Sequence, residues 1–165
     1  MKKLNDYICE YTKQLQSNNL QIAYRGIIDW MNVLRAHYEK GSLDMDVSGL
    51  YEGFMDMSYF SLSSPYLKER GLKIAIVYLH SKMCFEGWLS ARNRQIGQIW
   101  KIRLQKVTLS LPLFHDSSNQ DAIIEMTLVM KPNFDEEDVL MRQLDQNISH
   151  FIQIVESLIE SLPDE

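Results

Sequence analysis

The chain has 165 residues, of which 45% are hydrophobic and 24% are charged, and its formal net charge is −5. This length lies within the usual range for one domain, so we expect residues 1–165 to form a single domain with its own core. The composition excludes a disordered or fibrous protein. The acidic balance argues against general nucleic-acid binding, because that function needs a concentrated basic face.

The two cysteines and the first residues bear on the compartment. Cys9 and Cys84 lie far apart and show no metal-like spacing, whereas disulfide scaffolds carry several cysteines in a short chain. The first residues, MKKLNDYICEYTKQ, are basic at the start but have no apolar stretch behind them, unlike a signal peptide. No run approaches the roughly 20 apolar residues that cross a bilayer. We therefore expect a cytoplasmic protein without membrane contact.

Two helices are predicted in the first forty residues. Apolar residues recur at helical spacing from Leu4 to Leu15 and again from Leu20 to Leu34, and Ser17-Asn18-Asn19 separates the two stripes. Gly26 lies inside the second stripe, where glycine costs about 1 kcal/mol relative to alanine. Close packing of a neighbouring element against Gly26 would explain this cost.

The middle of the chain predicts three strands joined by turns. Residues 49–62 are rich in aromatic side chains and lack a helical stripe. Residues 72–80 (LKIAIVYLH) are apolar on both faces, which indicates a central strand, and residues 83–90 return as its antiparallel partner.

The last third predicts two further helices and one or two strands. Asn93 can cap a helix from Arg94 to about Leu104, residues 107–113 fit a short edge strand, and residues 121–130 alternate like a strand. Asn133 or Asp135 can begin the final helix. The predicted fold is α+β, in the order α-α-β-β-β-α-β-α, with helices packed over an antiparallel sheet of four to five strands.

Polar residues interrupt the predicted strands at a few positions. Alternation places Asp56 on one face of its strand, puts Glu86 and Trp88 together on theirs, and leaves Arg92 and Arg94 at the following helix start. One interpretation is a polar pocket in which the acids face an arginine and the arginines hold an anionic group. The candidate ligand-binding residues are Tyr51, Asp56, Tyr59, His80, Glu86, Trp88, Arg92, Asn93 and Arg94. The alternative is structural: an acid pairs with an arginine internally, or the face is simply solvated.

Known catalytic and metal-binding patterns are missing from the sequence. The histidines show no zinc-like spacing, and no nucleophile elbow or phosphate-binding glycine loop is present. The sequence thus predicts no metal site and identifies no cofactor.

Three strings resemble a family of small bacterial proteins of unknown function. They are YEGFMDMSYF, LKIAIVYLHSKMCFEGWLSARNRQI and QIGQIW, which match family patterns of the type YxGxMDMxYF and FExWLxxRNR. The resemblance implies a bacterial cytoplasmic protein and directs attention to the candidate residues. It supplies no catalytic role for any of them.

Three hypotheses about function follow. The first is a binding or accessory domain that holds a small polar or anionic ligand, or a protein partner, around Asp56, Glu86, Trp88, Arg92 and Arg94. The second is an enzyme in which Asp56 or Glu86 acts as general acid or base and an arginine stabilises an anion. The third is a homodimer formed through the aromatic strands. The sequence favours the first of them, with the enzyme as the alternative.

Overall fold

The computed structural model describes residues 1–41 and 44–163, and these ranges contain six β-strands and five α-helices. The strands are β1 (Asp46–Val47), β2 (Met57–Ser63), β3 (Leu72–Leu79), β4 (Cys84–Ala91), β5 (Leu113–Phe114) and β6 (Ile124–Met130). The helices are α1 (Leu4–Gln16), α2 (Asn19–Lys40), α3 (Pro65–Glu69), α4 (Arg94–Gln105) and α5 (Glu137–Glu160). No described helix combines the length and the apolar composition that crossing a membrane requires.

The strands form one sheet in the order β1-β2-β3-β4-β6-β5, and every neighbouring pair is antiparallel. Short connections join β2, β3 and β4 into a meander, and α4 lies in the longer connection between β4 and β6. The register places Trp88 opposite Ala75 on one side and opposite Glu125 on the other. Directly opposed residues share a face of the sheet, so these three side chains belong together.

Helices α2 and α5 bury one face of the sheet. Phe60, Ile76 and Phe85 from the strands pack with Leu34 of α2 and Phe151 of α5, and all five are fully buried. Gly87 of β4 belongs to this contact, because a Cβ atom there would lie 2.6 Å from the ring of Phe151. Only glycine leaves room for that ring at its present position.

The opposite face, which carries Ala75, Val77, Glu86 and Trp88, is called the open face below. Its apolar cluster of Ala75, Val77, Trp88 and Ala122 includes no residue from a described helix. Residues 115–122, called the 115–122 loop below, lie against one side of it. The open face is therefore covered by loop and strand side chains and not by a helical layer.

The structure confirms the α+β class and the antiparallel sheet, and it corrects several details. There are six strands instead of four to five, because the two-residue strand β1 leaves almost no periodic signal. The edge strand predicted at residues 107–113 is displaced, since β5 comprises only Leu113 and Phe114. The connection between β2 and β3, which was predicted as a polar turn, contains α3. Ser64 is the N-cap of this helix, and a proline occupies its first position. The aromatic segment is a strand only from Met57 onward, because Gly53 and Met55 have φ values of 73° and 64°.

Candidate functional site

Alternating polar side chains of β4 define the candidate site on the open face. Glu86, Trp88 and Ser90 are all at least 93% buried, although no helix covers them. Alternation along the strand places these residues on one face, and Phe85 and Leu89 on the helix-covered face. The open face thus carries buried polar groups, and each needs a partner.

Glu86 finds its partners within its own hairpin. Its Oε2 accepts a hydrogen bond of 2.8 Å from Nε1 of Trp88, and Nζ of Lys82 lies 3.9 Å from Oε1. The carboxylate is 6% exposed. In the described chain Glu86 forms no ion pair with an arginine, so the predicted approach of Arg92 or Arg94 to this acid is not seen.

Glu125 of β6 is a second buried acid on the open face. It is 2% exposed, and its two oxygens each accept a bond of 2.6 Å, one from the backbone N–H of Asp116 and one from Nδ2 of Asn119. Burial raises the pKa of Glu125, while these two hydrogen bonds act in the opposite direction. Glu125 therefore fastens the 115–122 loop to the sheet.

A cleft runs across the open face beside Trp88. Its central part has a volume of about 190 Å³. The apolar walls come from strand side chains, with Trp88, Tyr59 and Val77 among them, and Lys73, Ser90 and Asp121 supply polar groups. The central part thus offers an aromatic and aliphatic surface bordered by a few polar atoms.

Two larger cavities adjoin the central part, and both carry cations. One, of about 540 Å³, shares Lys73 with the centre and is lined also by Arg92, Lys68 and three serines; it is called the Arg92 lobe below. The other, of about 440 Å³, shares Ala91 and Asp121 with the centre and includes Arg94 and Lys101. Arg92 and Arg94 therefore lie in different lobes of one cleft.

The charge of the cleft contrasts with that of the chain. The three cavities are lined by five cationic side chains and two acidic ones, whereas the whole sequence has 17 basic and 22 acidic residues. The cations are Lys68, Lys73, Arg92, Arg94 and Lys101, and the acids are Asp46 and Asp121. Lys68 is paired with Asp46, but within the described residues Lys73, Arg92 and Arg94 have no carboxylate partner. A cleft that concentrates one sign of charge attracts ligands of the opposite sign.

Asp56 and Tyr51 lie away from Glu86, before the start of β2. Asp56 is exposed, and its Oδ1 accepts a bond of 3.0 Å from the backbone N–H of Phe54. Backbone N–H groups of Met57, Phe54 and Asp56 itself hold the pKa of this carboxyl below its usual value. Tyr51 contacts Tyr59 with the ring centroids 5.0 Å apart. Asp56 therefore organises a tight loop, and Tyr51 extends the aromatic surface near the cleft.

His80 lies toward the helix-covered face, where it follows β3. Its Nε2 is 2.8 Å from Oγ of the buried Ser58, and its ring stacks on Tyr24 of α2 at 5.6 Å. Burial lowers the pKa of His80, and Asp56 opposes this effect. The structure thus separates His80 from Trp88 and Glu86.

A comparison with family models decides the identity of the chain. A model described as a domain of unknown function, DUF7000, matches residues 4–159. The chain belongs to the DUF7000 family. No curated protein and no solved structure matched the chain. The resemblance to a family of unknown function is confirmed, and the fold described above is thus a structure of a DUF7000 domain.

Asn93 supports the cleft of this DUF7000 domain without lining its centre. Its Oδ1 accepts a bond of 2.9 Å from the backbone N–H of Ile96, which makes Asn93 the N-cap of α4 as predicted. The cap fixes where the helix begins, and so places Arg94 at the first helical position. Asn93 itself borders the same lobe as Arg94.

Sequence reasoning missed Lys73 and Glu125 as residues of this region. A signal existed for both, because alternation along their strands puts Lys73 on the face of Ala75 and Val77, and Glu125 on the face opposite Ile124 and Met126. The pairing of β4 with β6 could not be predicted from the sequence. Without this pairing, nothing in the sequence indicates that Glu125 lies beside Trp88.

The side chains of the cleft are better placed to bind a ligand through charge and hydrogen bonds than to transfer protons. Within residues 1–41 and 44–163, no three of His, Cys, Asp and Glu come together in a way that would hold a metal ion. Glu86 and Glu125 are occupied by hydrogen bonds, while Lys73 and Arg92 stand in the wall of the cleft. The DUF7000 cleft is thus chemically suited to an anion attached to an apolar group.

Proposed function

We propose that this DUF7000 domain binds a small organic anion in the cleft on the open face, and that it does so in the bacterial cytoplasm. The observation that carries the proposal is the concentration of five cations in the cleft of a chain with a net charge of −5. The compartment is expected from the family resemblance and from the two free cysteines, Cys9 and Cys84.

The anionic group of the ligand is assigned to the Arg92 lobe. Arg92, Lys73 and the hydroxyl groups of Ser48, Ser61 and Ser63 all line this lobe. Guanidinium, ammonium and hydroxyl donors suit carboxylate or phosphate oxygens. Because Lys73 also borders the central part, an anion held there would have its organic portion beside Trp88 and Tyr59.

The size of the cleft fits a metabolite instead of a macromolecule. The central part and the Arg92 lobe have volumes of about 190 and 540 Å³, and ligand pockets commonly measure roughly 300–1,000 Å³. The buried acids restrict where a negative charge can sit. Glu86 and Glu125 lie beside the cleft centre, so the aromatic surface suits an uncharged part of the ligand.

The acid–base alternative has weaker support. General acid–base catalysis by Asp56 would require this carboxylate to lie near the cations of the cleft. Asp56 instead lies in the loop before β2, where it accepts a hydrogen bond from Phe54 and stabilises the loop. Glu86 is hydrogen-bonded to Trp88 and does not border the cavities that contain Arg92 or Arg94. Ligand binding without catalysis requires only that the cations line the cleft, and they do.

Thermal unfolding against a panel of organic carboxylates, phosphosugars and nucleotides tests the proposal. A ligand at about 100 times its dissociation constant adds about 2.7 kcal/mol of stability, and each kcal/mol raises the midpoint by roughly 2–4 °C for a domain of this size. Calorimetric titration of a positive compound would then be repeated with Lys73→Gln and Arg92→Gln. Both substitutions should weaken binding while leaving the unfolding midpoint of the free protein nearly unchanged.

Arg142→Gln provides the matched control, since Arg142 is an exposed arginine of α5 that lies outside the cleft. It should bind the compound like the original protein. A panel without any anionic ligand, or a ligand whose affinity Lys73→Gln and Arg92→Gln leave unchanged, would contradict the proposal.

A further inference from the structure

Helix α1 presents an apolar stripe that its own chain does not bury. Leu4, Tyr7, Ile8 and Tyr11 repeat at helical spacing, and between 48% and 75% of each is exposed. No residue of α1 is fully buried, and Leu15 alone is partly covered. An amphipathic helix in a folded protein normally covers its apolar stripe against another element. The described chain offers α1 no such cover.

A groove along α2 is a second exposed apolar surface, and it is concave. It has a volume of about 700 Å³, and Ile22, Ile27, Trp30 and Val33 of α2 line it together with Phe134 and Met83. Residues of α1 are not part of this lining. The groove and the stripe of α1 are thus separate surfaces of one chain.

Gly26 lies within the apolar stripe of α2 and lines the groove. Glycine in a helix interior costs stability relative to alanine, and one reason to keep it is close approach of another backbone. Gly26 lines the groove, and a Cβ atom placed on it would have nothing within 4 Å in this chain. The space above Gly26 is therefore open to the backbone of another molecule.

The stripe and the groove match in length and in charge. Ile22 to Val33 spans about 16 Å of helix, and Leu4 to Leu15 spans about the same. Three acids, Asp29, Asp135 and Glu137, border the groove. The first 16 residues carry three lysines, at positions 2, 3 and 13, and two acids, Asp6 and Glu10, and the two lysines that precede α1 give the helix a basic start. An apolar helix with a basic start fits an apolar groove with an acidic rim.

We infer that the groove along α2 is the docking site for α1 of a second copy of this chain. Each copy contributes one helix and one groove, and the inference is that the same two copies exchange their α1 helices, which closes the assembly as a two-fold dimer. This inference is independent of ligand binding on the open face.

Analytical ultracentrifugation of the full chain and of three variants tests the inference. Ile8→Asp places a charge in the stripe of α1, and Gly26→Leu fills the groove. Both should convert the dimer to a monomer. Neither change touches the core, because Ile8 is exposed and the space above Gly26 is open. Gly26→Leu should also raise the unfolding midpoint of the monomer, since leucine is the better helix former; loss of the dimer then cannot come from misfolding.

Asn5→Asp is the matched control, because Asn5 is exposed on α1 and lies off the stripe. It should remain a dimer. A chain that is monomeric at every concentration overturns the inference. A dimer that Ile8→Asp abolishes and Gly26→Leu preserves would mean that α1 pairs with α1, and this outcome also overturns the assignment of the groove.

Discussion

The two faces of the sheet are built on different principles. On the helix-covered face, large apolar side chains such as Phe60, Phe85 and Phe151 exclude water completely. On the open face, the cluster around Val77 and Trp88 is small and lies next to two buried carboxylates. Apolar packing stabilises the helix-covered face, whereas hydrogen bonds from the 115–122 loop to Glu125 stabilise the open face.

This difference places the core on one face of the sheet and the cleft on the other. Packing against α2 and α5 provides most of the apolar burial, so the open face can carry Lys73, Ser90 and a cleft without loss of the core. The same strands serve both purposes because alternate residues point in opposite directions. Substitutions on the two faces should therefore have different consequences.

The largest expected effect is on the helix-covered face. Phe151→Ala removes a fully buried ring that fills the space above Gly87, and such a change costs about 3–5 kcal/mol. The open-face counterpart, Tyr59→Ala, should cost about 1 kcal/mol or less, because Tyr59 is half-buried and borders the cleft. Urea unfolding measures both free energies. Equal losses would contradict the division of labour between the faces.

A smaller effect is expected from the loop that fastens the open face. Asn119→Ala removes the side-chain donor to Glu125 and the acceptor for the backbone N–H groups of Asp121 and Ala122. Leaving a buried carboxylate oxygen without its donor costs about 1–3 kcal/mol. The control is Gln120→Ala, since this neighbouring side chain is exposed. If both variants unfold at the same urea concentration as the original protein, Glu125 does not fasten the loop.

The smallest effect is a difference in pH dependence between two acids. Burial raises the folded-state pKa of Glu125, so the folded state holds its proton more tightly than the unfolded state. The original protein should therefore lose stability relative to Glu125→Gln as the pH rises from the unfolded pKa of about 4.3 up through the higher folded-state pKa. Backbone hydrogen bonds lower the folded-state pKa of Asp56, so the sign is reversed. Relative to Asp56→Asn, the original protein should lose stability as the pH falls below about 3.9.

Unfolding free energies of the three proteins across the acid range provide this measurement. Curves that shift in the same direction for both variants would show that one of the two environments is assigned incorrectly.

Periodicity in the sequence predicted the long elements well. The helices around Leu34 and Phe151 and the central strands repeat apolar residues over many positions, and each was located within a few residues of its observed bounds. The two-residue strand β1 was not predicted, and the edge strand predicted at residues 107–113 overlaps β5 only at Leu113. Both strands are defined by pairing with a neighbour and not by a pattern of their own. The loop before β2 was read as strand, since nothing local reveals the positive φ of Met55.

The candidate site was predicted less completely than the fold. Alternation correctly placed Glu86 and Trp88 on one face, and capping identified Asn93. The positions of Arg92, Arg94 and Asp56 relative to Glu86 depend on turns and strand order, which single-sequence patterns do not encode. For the same reason Lys73 was not grouped with Arg92, although both line one lobe of the cleft.

The edges of the sheet bear on whether the protein aggregates at high concentration. Each margin ends in a two-residue strand, and the chain segment from Asp46 to Tyr51 covers the free side of β2 through contacts with Ser63, Ser61 and Tyr59. At the opposite margin, the side-chain amide of Asn147 donates to the carbonyl oxygen of Leu128, which a foreign strand would otherwise use. Short edge strands of this kind offer an incoming strand few consecutive backbone groups to pair with. The concentrated protein should therefore stay in solution without forming ordered aggregates.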